Sequence, residues 1–296
     1  MRLRPADDRT RRWLPDRRVH GLSIGALIAA FMLLPRLLAA RPGSFRSRFA
    51  RDHATLLARP VPPNGLVTEA DLLPLPAPMQ TYLRRMRAVG RPRVRNLRVE
   101  FAAQMRTSAT SPWMQASAVQ YEFFGPPARL FHMQARRGGV PIDVLHEYVD
   151  GAATFQVRIA GLVPMVNKSG AGITHDETVT LMNDVLVLAP AAALDLPFTF
   201  EAIDERSVRA EFRNAGFAVA ATLTFDEAGD LVGFVSADRA HDREGGAALW
   251  STPLSAYGDV DGVRVATHGD ANWIDATGEW TYGRFVVTSI AYNVRQ

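Results

Sequence analysis

The chain of 296 residues contains no cysteine and only one lysine, Lys168, beside 33 arginines. The lack of cysteine excludes thiolate catalysis, zinc–thiolate sites and disulfide bonds. The zinc-protease motif HExxH and the phosphate-loop motif GxxxxGK[ST] are also missing from the sequence. Its seven histidines include no close pair at metal-ligand spacing. We therefore expect neither a metal site nor a cofactor.

Positive and negative charges are concentrated in different parts of the chain. Residues 1–96 hold 19 arginines against six acidic residues, whereas residues 97–296 carry nine more acidic than basic groups. Basic groups beside an apolar segment favour contact with anionic lipid headgroups. Nucleic-acid binding is not expected, because the rest of the chain lacks basic residues interleaved with aromatic ones.

Residues 21–40, GLSIGALIAAFMLLPRLLAA, form a long apolar segment after the basic leader 1–20. About 20 such residues span a bilayer as a helix. We predict an uncleaved transmembrane anchor; a cleaved signal peptide and a buried helix are the alternatives. Arginines flank both ends in similar number, so the positive-inside rule leaves the orientation open. We expect the following domain to be extracytoplasmic.

Residues 41–77 are predicted to form a basic juxtamembrane helix and a proline-rich linker. Apolar residues alternate with arginines over 44–59, which is typical of an interfacial helix beside a membrane or of a solvated linker helix. The prolines of PVPPNG at 60–65 break any helix. Residues 78–296 are predicted to be a separate β-rich domain, which begins with a short amphipathic helix.

Alternation of apolar and polar residues begins at about residue 95 and predicts ten or more short strands. The predicted strands cover 97–105, 114–124, 129–135, 144–149, 153–159, 198–203, 208–212, 218–225, 231–236, 263–266, 271–274 and 280–292. Short connections between them favour antiparallel pairing. A helix is predicted over DETVTLMNDVLVLAPAAAL, with Asp176 as its N-cap and Pro190 dividing or ending it. The predicted fold class is α+β and β-dominated: a large curved antiparallel sheet, a partly open barrel shaped like bacterial lipoprotein carriers, with covering helices.

Several motifs in the second half resemble an uncharacterised bacterial family. They are ETVTLMND, LAPAAALD, SADR, WSTP and YNV, where the family pattern is roughly ETVTLxND, LAPAxLID, SDDR, WSTP and YNV. The resemblance covers about residues 78–295 and implies no activity. Val185 stands where methionine is usual, and Ala237 interrupts a pair of aspartates, which weakens any metal-binding role there.

The first candidate site residues lie on one predicted strand and on the middle helix. His146 and Tyr148 share a strand face, so His146 either lines a cavity or is an ordinary half-buried histidine. On the helix, Glu177 and Asp184 are two turns apart on one face, close to Asn183. This carboxylate pair either does acid–base work or has structural roles, with Glu177 in the first helical turn and Asp184 capping or paired with an arginine.

Another group of candidates lies nearer the C-terminus. Asp238 and Arg239 follow a strand, which favours a structural role as an ion pair or hydrogen-bond anchor, and the charged residues after them are expected to be a solvated loop. Trp250, Tyr257 and Trp273 belong to a dense group of aromatics that forms either a ligand-contacting wall or part of the core.

Three functions from different classes fit this sequence. The first is a membrane-tethered, noncatalytic module that binds an apolar or lipid-like ligand, which predicts a wide cavity with few ionisable groups in its wall. The second is a hydrolase or isomerase using His146 with Glu177 or Asp184, which predicts convergence within hydrogen-bond reach. The third is a structural partner in an envelope complex, which predicts a solid core and an exposed apolar patch. Binding is preferred, because catalytic motifs are missing.

Overall fold

The computed structural model of the chain describes residues 41–60, 65–239 and 248–295. The leader 1–20, the anchor predicted at 21–40 and most of the charged loop that follows Arg239 lie outside the described residues. Among the helices that are described, none combines the length and apolar character needed to cross a bilayer.

Thirteen strands in the described part of the chain form a single antiparallel sheet. In chain order they are β1 Asn96–Met105, β2 Met114–Phe124, β3 Pro127–Arg137, β4 Val140–Val149, β5 Ala152–Ile159, β6 Val163–Ser169, β7 Phe198–Ala202, β8 Ser207–Asn214, β9 Phe217–Phe225, β10 Leu231–Ser236, β11 Leu249–Val260, β12 Val263–Asp275 and β13 Gly278–Tyr292. The spatial order is β6-β5-β4-β3-β2-β1-β13-β12-β11-β10-β9-β8-β7. The β-dominated, antiparallel fold class is thereby confirmed.

A few helices accompany the sheet. They are α1 Phe45–Leu57, α2 Glu69–Leu72, α3 Ala77–Arg85, α4 Ala171–Leu188 and a 3-10 turn at Pro190–Asp195. Helix α4 connects the two edge strands and contacts β5 and β6 in one half of the sheet and β9, β10 and β12 in the other. Because one helix touches both halves, the sheet must curve around it. At one end the halves nearly meet, since a Cβ on Gly151 would lie 3.3 Å from the Cβ of Ala215.

Helix α4 begins six residues earlier than the sequence pattern predicts. Its first residue is Ala171, so Asp176 is not the N-cap and Glu177 lies in the second turn. The hydroxyl of Thr174 donates to the carbonyl of Gly170 at 2.9 Å and accepts from the backbone N–H of Ala153 at 3.1 Å. These bonds attach an additional first turn of helix α4 to strand β5. The helix ends just before Pro190, as predicted.

Helix α1 packs on the outer face of the sheet. Phe45, Phe49 and Leu56 are buried with outward side chains of β2 to β4, such as Tyr121 and Leu145. The apolar side of this helix is covered by the sheet, whereas a position of the helix beside a membrane stays a prediction. Residues 44–57 are therefore part of the same folded unit as the sheet.

Strand β11 was not predicted, and β12 was predicted as two strands. Pro253 lies inside β11, opposite Gly233 of β10, and Gly269 interrupts the alternation of β12. Proline and glycine weaken a strand signal in sequence. Here pairing on both sides of β11 and β12 keeps them continuous.

Candidate functional site

The inner face of the sheet and helix α4 enclose a cavity of about 900 Å³. Apolar side chains make up most of its wall, and they come from strands on both sides of the β1–β13 pair. They include Phe101, Met105, Met133, Ile142, Val157 and Phe285. The volume lies within the range of about 300–1,000 Å³ that is usual for small-molecule sites.

Arg129 is the centre of a buried polar cluster on one side of this cavity. Its guanidinium donates to Asp184 at 2.7 Å, to Glu177 at 3.1 Å and to the Gln120 side-chain oxygen at 3.1 Å. The predicted placement of Glu177 and Asp184 on one helical face is therefore seen in the structure, where both carboxylates contact a single arginine. Such complete pairing is what makes a buried charge tolerable.

Glu122 lies behind this cluster and is fully buried. It accepts a hydrogen bond at 2.8 Å from the side-chain amide of Gln120, which also donates to Asp184. Burial, and then the charge of nearby Asp184, raise the pKa of Glu122 well above its usual value. The raised pKa favours the protonated form of Glu122, which limits the negative charge inside the fold.

His146 and Glu177 converge in the cavity wall. The His146 Nδ1 atom lies 3.3 Å from Glu177 Oε1, in an orientation that does not form an aligned hydrogen bond. Burial opposes ionisation of Glu177, but His146, Arg129 and Arg239 lower its pKa to about 2. Burial also lowers the pKa of His146. Burial thus favours the neutral imidazole, and the two arginines favour an ionised Glu177 beside it.

Arg239 enters the cavity from the end of β10. Its guanidinium lies over the ring of Trp250 at 4.4 Å, and its nearest carboxylate oxygen is Glu177 Oε1 at 3.7 Å. The indole N–H of Trp250 donates to the Tyr282 hydroxyl at 2.9 Å. Asp238, by contrast, accepts from the backbone N–H of Ala220 at 2.7 Å. The structure thus gives Asp238 an anchoring contact and directs Arg239 inward.

The other predicted site residues divide between cavity and core. Asn183 and Trp273 line the cavity, and Asn183 donates to the Thr252 hydroxyl at 3.2 Å. Tyr148 is buried away from the lining, where it accepts from Asn214 at 2.6 Å. The Tyr257 hydroxyl donates to a backbone carbonyl at 2.8 Å, also outside the lining. These two tyrosines are therefore part of the packing.

Sequence reasoning missed Gln120, Glu122 and Arg129, which hold the cluster together. All three point to the inner face, where Ala118 and Phe124 of β2 are apolar and buried. Polar residues on the apolar face of an otherwise alternating strand are the signal that would have identified them. Within the described ranges, no set of three or more His, Asp or Glu side chains is arranged to hold a metal ion.

The comparisons with known proteins give a family and a distant structural likeness. The model of a family of unknown function, DUF6544, matches residues 65–285. The chain belongs to the DUF6544 family. This match confirms the resemblance to an uncharacterised family that the sequence motifs indicate. No curated protein matches this DUF6544 member.

Among solved structures, one match is a crystal structure from Vibrio parahaemolyticus, provisionally described as an outer membrane lipoprotein-sorting protein domain. Identity is 10%, the TM-score is 0.37, and the alignment covers 67% of the DUF6544 chain and 86% of the other. We draw no functional conclusion from a likeness this distant.

Proposed function

We propose that this DUF6544 protein binds a hydrophobic, lipid-like ligand in the cavity between its sheet and α4, without catalysis. The observation that carries the proposal is the cavity itself, about 900 Å³ in volume and walled mainly by apolar side chains. Each methylene group moved from water into such a wall contributes about 0.8 kcal/mol. Burial of a long acyl chain therefore contributes enough free energy for the compound to bind, with its polar group at one side of the cavity.

The arrangement of the ionisable groups in the wall fits ligand binding better than it fits acid–base catalysis. The expectation that the wall has few ionisable groups was wrong, because the lining contains ten: Arg106, Arg129, Arg137, His146, Lys168, Asp176, Glu177, Asp184, Arg239 and Asp270. Glu177 and Asp184 are held there as hydrogen-bond partners of Arg129. A cavity of this size does not fit the solid core expected of a purely structural partner.

The proposed setting is the cell envelope. Residues 21–40 have the length and apolarity of a membrane anchor, and the arginines around them favour an anionic membrane surface. We propose that the anchor tethers the β-rich domain at the extracytoplasmic side, where a cavity of this kind would hold a lipid out of water.

The first experiment is native mass spectrometry of the full chain from its own host, with chromatography of the extracted lipids. We expect a bound apolar compound in the wild type and much less of it in Val157→Trp. Val157 faces the cavity, so the indole would fill space that the ligand needs.

Val286→Trp is the matched control. Val286 lies between the cavity-lining residues Phe285 and Val287, and alternation along β13 directs it to the opposite face. Its ligand content should equal that of the wild type. A wild-type protein with no co-purifying ligand, or equal ligand in both tryptophan variants, would contradict binding in this cavity.

An isomerase is the second candidate, because His146 Nδ1 lies 3.3 Å from Glu177 Oε1. A neutral imidazole held beside a carboxylate is a reasonable general base. The test is to extract ligand from the His146→Gln protein and compare it by chromatography with ligand from the wild type. Different isomers in the two extracts would support catalysis, whereas identical ligand supports binding alone.

A further inference from the structure

Several arginines that are buried or half-buried in this fold donate hydrogen bonds to carboxylates. Arg129 donates to two carboxylates and one amide oxygen. Arg85 and Arg264 share Asp230 through four contacts of 2.6–2.8 Å. A guanidinium carries five N–H donors, and leaving them without acceptors inside a protein is costly.

Arg239 departs from this pattern. Its side chain is only 15% exposed, and it lines the cavity. The guanidinium makes no hydrogen bond to any residue that the structure describes, because its closest carboxylate oxygen is 3.7 Å away. That carboxylate belongs to Glu177, whose other oxygen already accepts from Arg129 at 3.1 Å. The described residues therefore leave N–H groups of Arg239 available to an acceptor in the cavity.

The orientation of Arg239 is nonetheless fixed. The Asp238 carboxylate before it accepts from a backbone N–H at 2.7 Å, and the Asp238 N–H donates to the Ser236 hydroxyl at 3.1 Å. The guanidinium lies over Trp250, which is itself held by its hydrogen bond to Tyr282. A cation held in this way loses little entropy when a ligand binds, which is the general benefit of preorganisation.

We propose that the ligand is an anionic amphiphile, whose oxyanion head group binds the Arg239 guanidinium while its chain lies along the apolar wall. The inference rests on the function proposed above and adds the head-group chemistry. Arginine binds a carboxylate or a phosphate through two parallel hydrogen bonds, so a fatty acid and a phosphate ester share this chemistry. Asp184 is already bonded to Arg129, and Glu177 Oε1, at 3.7 Å from the Arg239 guanidinium, is too far to accept a hydrogen bond from it.

The test uses the cavity tryptophans as reporters. Trp250, Trp273 and Trp280 line the cavity, so a brominated acyl chain that enters it quenches their fluorescence. The full chain is titrated with brominated stearate, the matching alcohol and the matching alkyl phosphate. We expect the wild type to bind an anionic compound about tenfold more tightly than the alcohol. Arg239→Gln should bind all three compounds with the affinity that the wild type shows for the alcohol.

Matched controls separate head-group binding from general charge. Arg136 is exposed on β3 and does not line the cavity, so Arg136→Gln should keep the preference for the anion. Arg239→Lys, which keeps the positive charge, should retain part of the preference for the anionic compounds over the alcohol. Far-UV circular dichroism melts of each variant verify that the fold is retained.

Each outcome bears on a different claim. If Arg239→Gln lowers the affinity for the carboxylate more than the affinity for the phosphate, the natural head group is a carboxylate, as in a fatty acid. If the affinity for the phosphate falls more, the natural head group is a phosphate ester. Equal binding of anion and alcohol by the wild type would overturn the anion site and leave apolar binding intact. A preference retained by Arg239→Gln would also overturn it, and no binding of any compound would refute the proposed function itself.

Discussion

At the scale of single residues, Asp230 joins helix α3 to the sheet. Its carboxylate accepts two hydrogen bonds from Arg85 of α3 and two from Arg264 of β12. Asp230→Asn removes the charge and leaves the two guanidiniums with one neutral amide oxygen in place of a carboxylate. We expect the free energy of unfolding to fall by about 3–5 kcal/mol, as is typical when a buried ion pair is broken. Urea unfolding of the full chain measures it.

A surface pair provides the control for Asp230. Asp259 pairs with Arg87 at 2.7 Å, but both side chains are more than half exposed. Asp259→Asn should change the free energy of unfolding by only about 0–1 kcal/mol, because solvent screens this pair. Losses of similar size in the two variants would show that burial is not the deciding factor.

The same carboxylate predicts a pH dependence. Burial alone would raise the pKa of Asp230, but its two arginines outweigh burial and lower the pKa from 3.8 to about 2. A depressed pKa means that ionisation favours the folded state, so the contribution is complete above pH 3.8 and is lost as the pH falls through 2. Thermal melts should therefore show wild type and Asp230→Asn converging over this window. A constant difference down to pH 2 would contradict the assignment.

Residue patterns predicted part of the candidate site. Spacing on a helix was enough to place Glu177 and Asp184 on one face, because the helical period is fixed by backbone geometry. Arg129, which both contact, comes from a different strand, and no local pattern links it to them. Contacts between distant segments depend on the register and curvature of the sheet, which one sequence does not encode locally.

At the scale of elements, the β9–β10 turn supports α3. Gly229 in this turn has a φ of +85°, and a Cβ added there would lie 2.5 Å from the Cγ2 atom of Thr81 on α3. Gly229→Ala should therefore strain the backbone and displace the helix. We expect a loss of about 2–4 kcal/mol in the free energy of unfolding, from the conformational strain and the overpacking together.

The β11–β12 turn offers a matched glycine. Gly262 has a φ of +81°, but no atom lies within 4 Å of an added Cβ. Gly262→Ala should show only the conformational strain, about 1 kcal/mol. Urea unfolding of both variants measures the difference, and equal losses would mean that α3 does not pack on this turn as described.

Strands were predicted well where their apolar residues cover a buried face. Strands β2 and β10 have the predicted bounds, Met114–Phe124 and Leu231–Ser236, because their apolar residues cover a buried face. Strand β6, Val163–Ser169, was not predicted, since it is an edge strand with exposed residues on both faces and a proline at its second position. Its structure depends on pairing with β5 rather than on its own pattern.

At the scale of the whole molecule, the sheet has two edges and a continuous interior. Strands β6 and β7 are at the edges, and β1, β13 and β12 lie at the centre. Hydrogen–deuterium exchange of the full chain should be fastest in β6 and β7 and slowest in the three central strands. Amides at an edge lack a partner on one side and open at lower cost. Equal protection of β6 and β1 would indicate that a further strand, such as one from a second copy, covers the edge.

The pairing of β1 with β13 has a consequence for how the protein is made. All other neighbours in the sheet are consecutive in the chain, so each half can assemble from local hairpins as it leaves the ribosome. The β1–β13 pair instead joins residues such as Leu97 and Tyr292, which translation produces at opposite ends of the domain. Until the last strand emerges, β1 remains an open edge. We expect this late closure to set the folding rate, since pairing across so long a loop is slow.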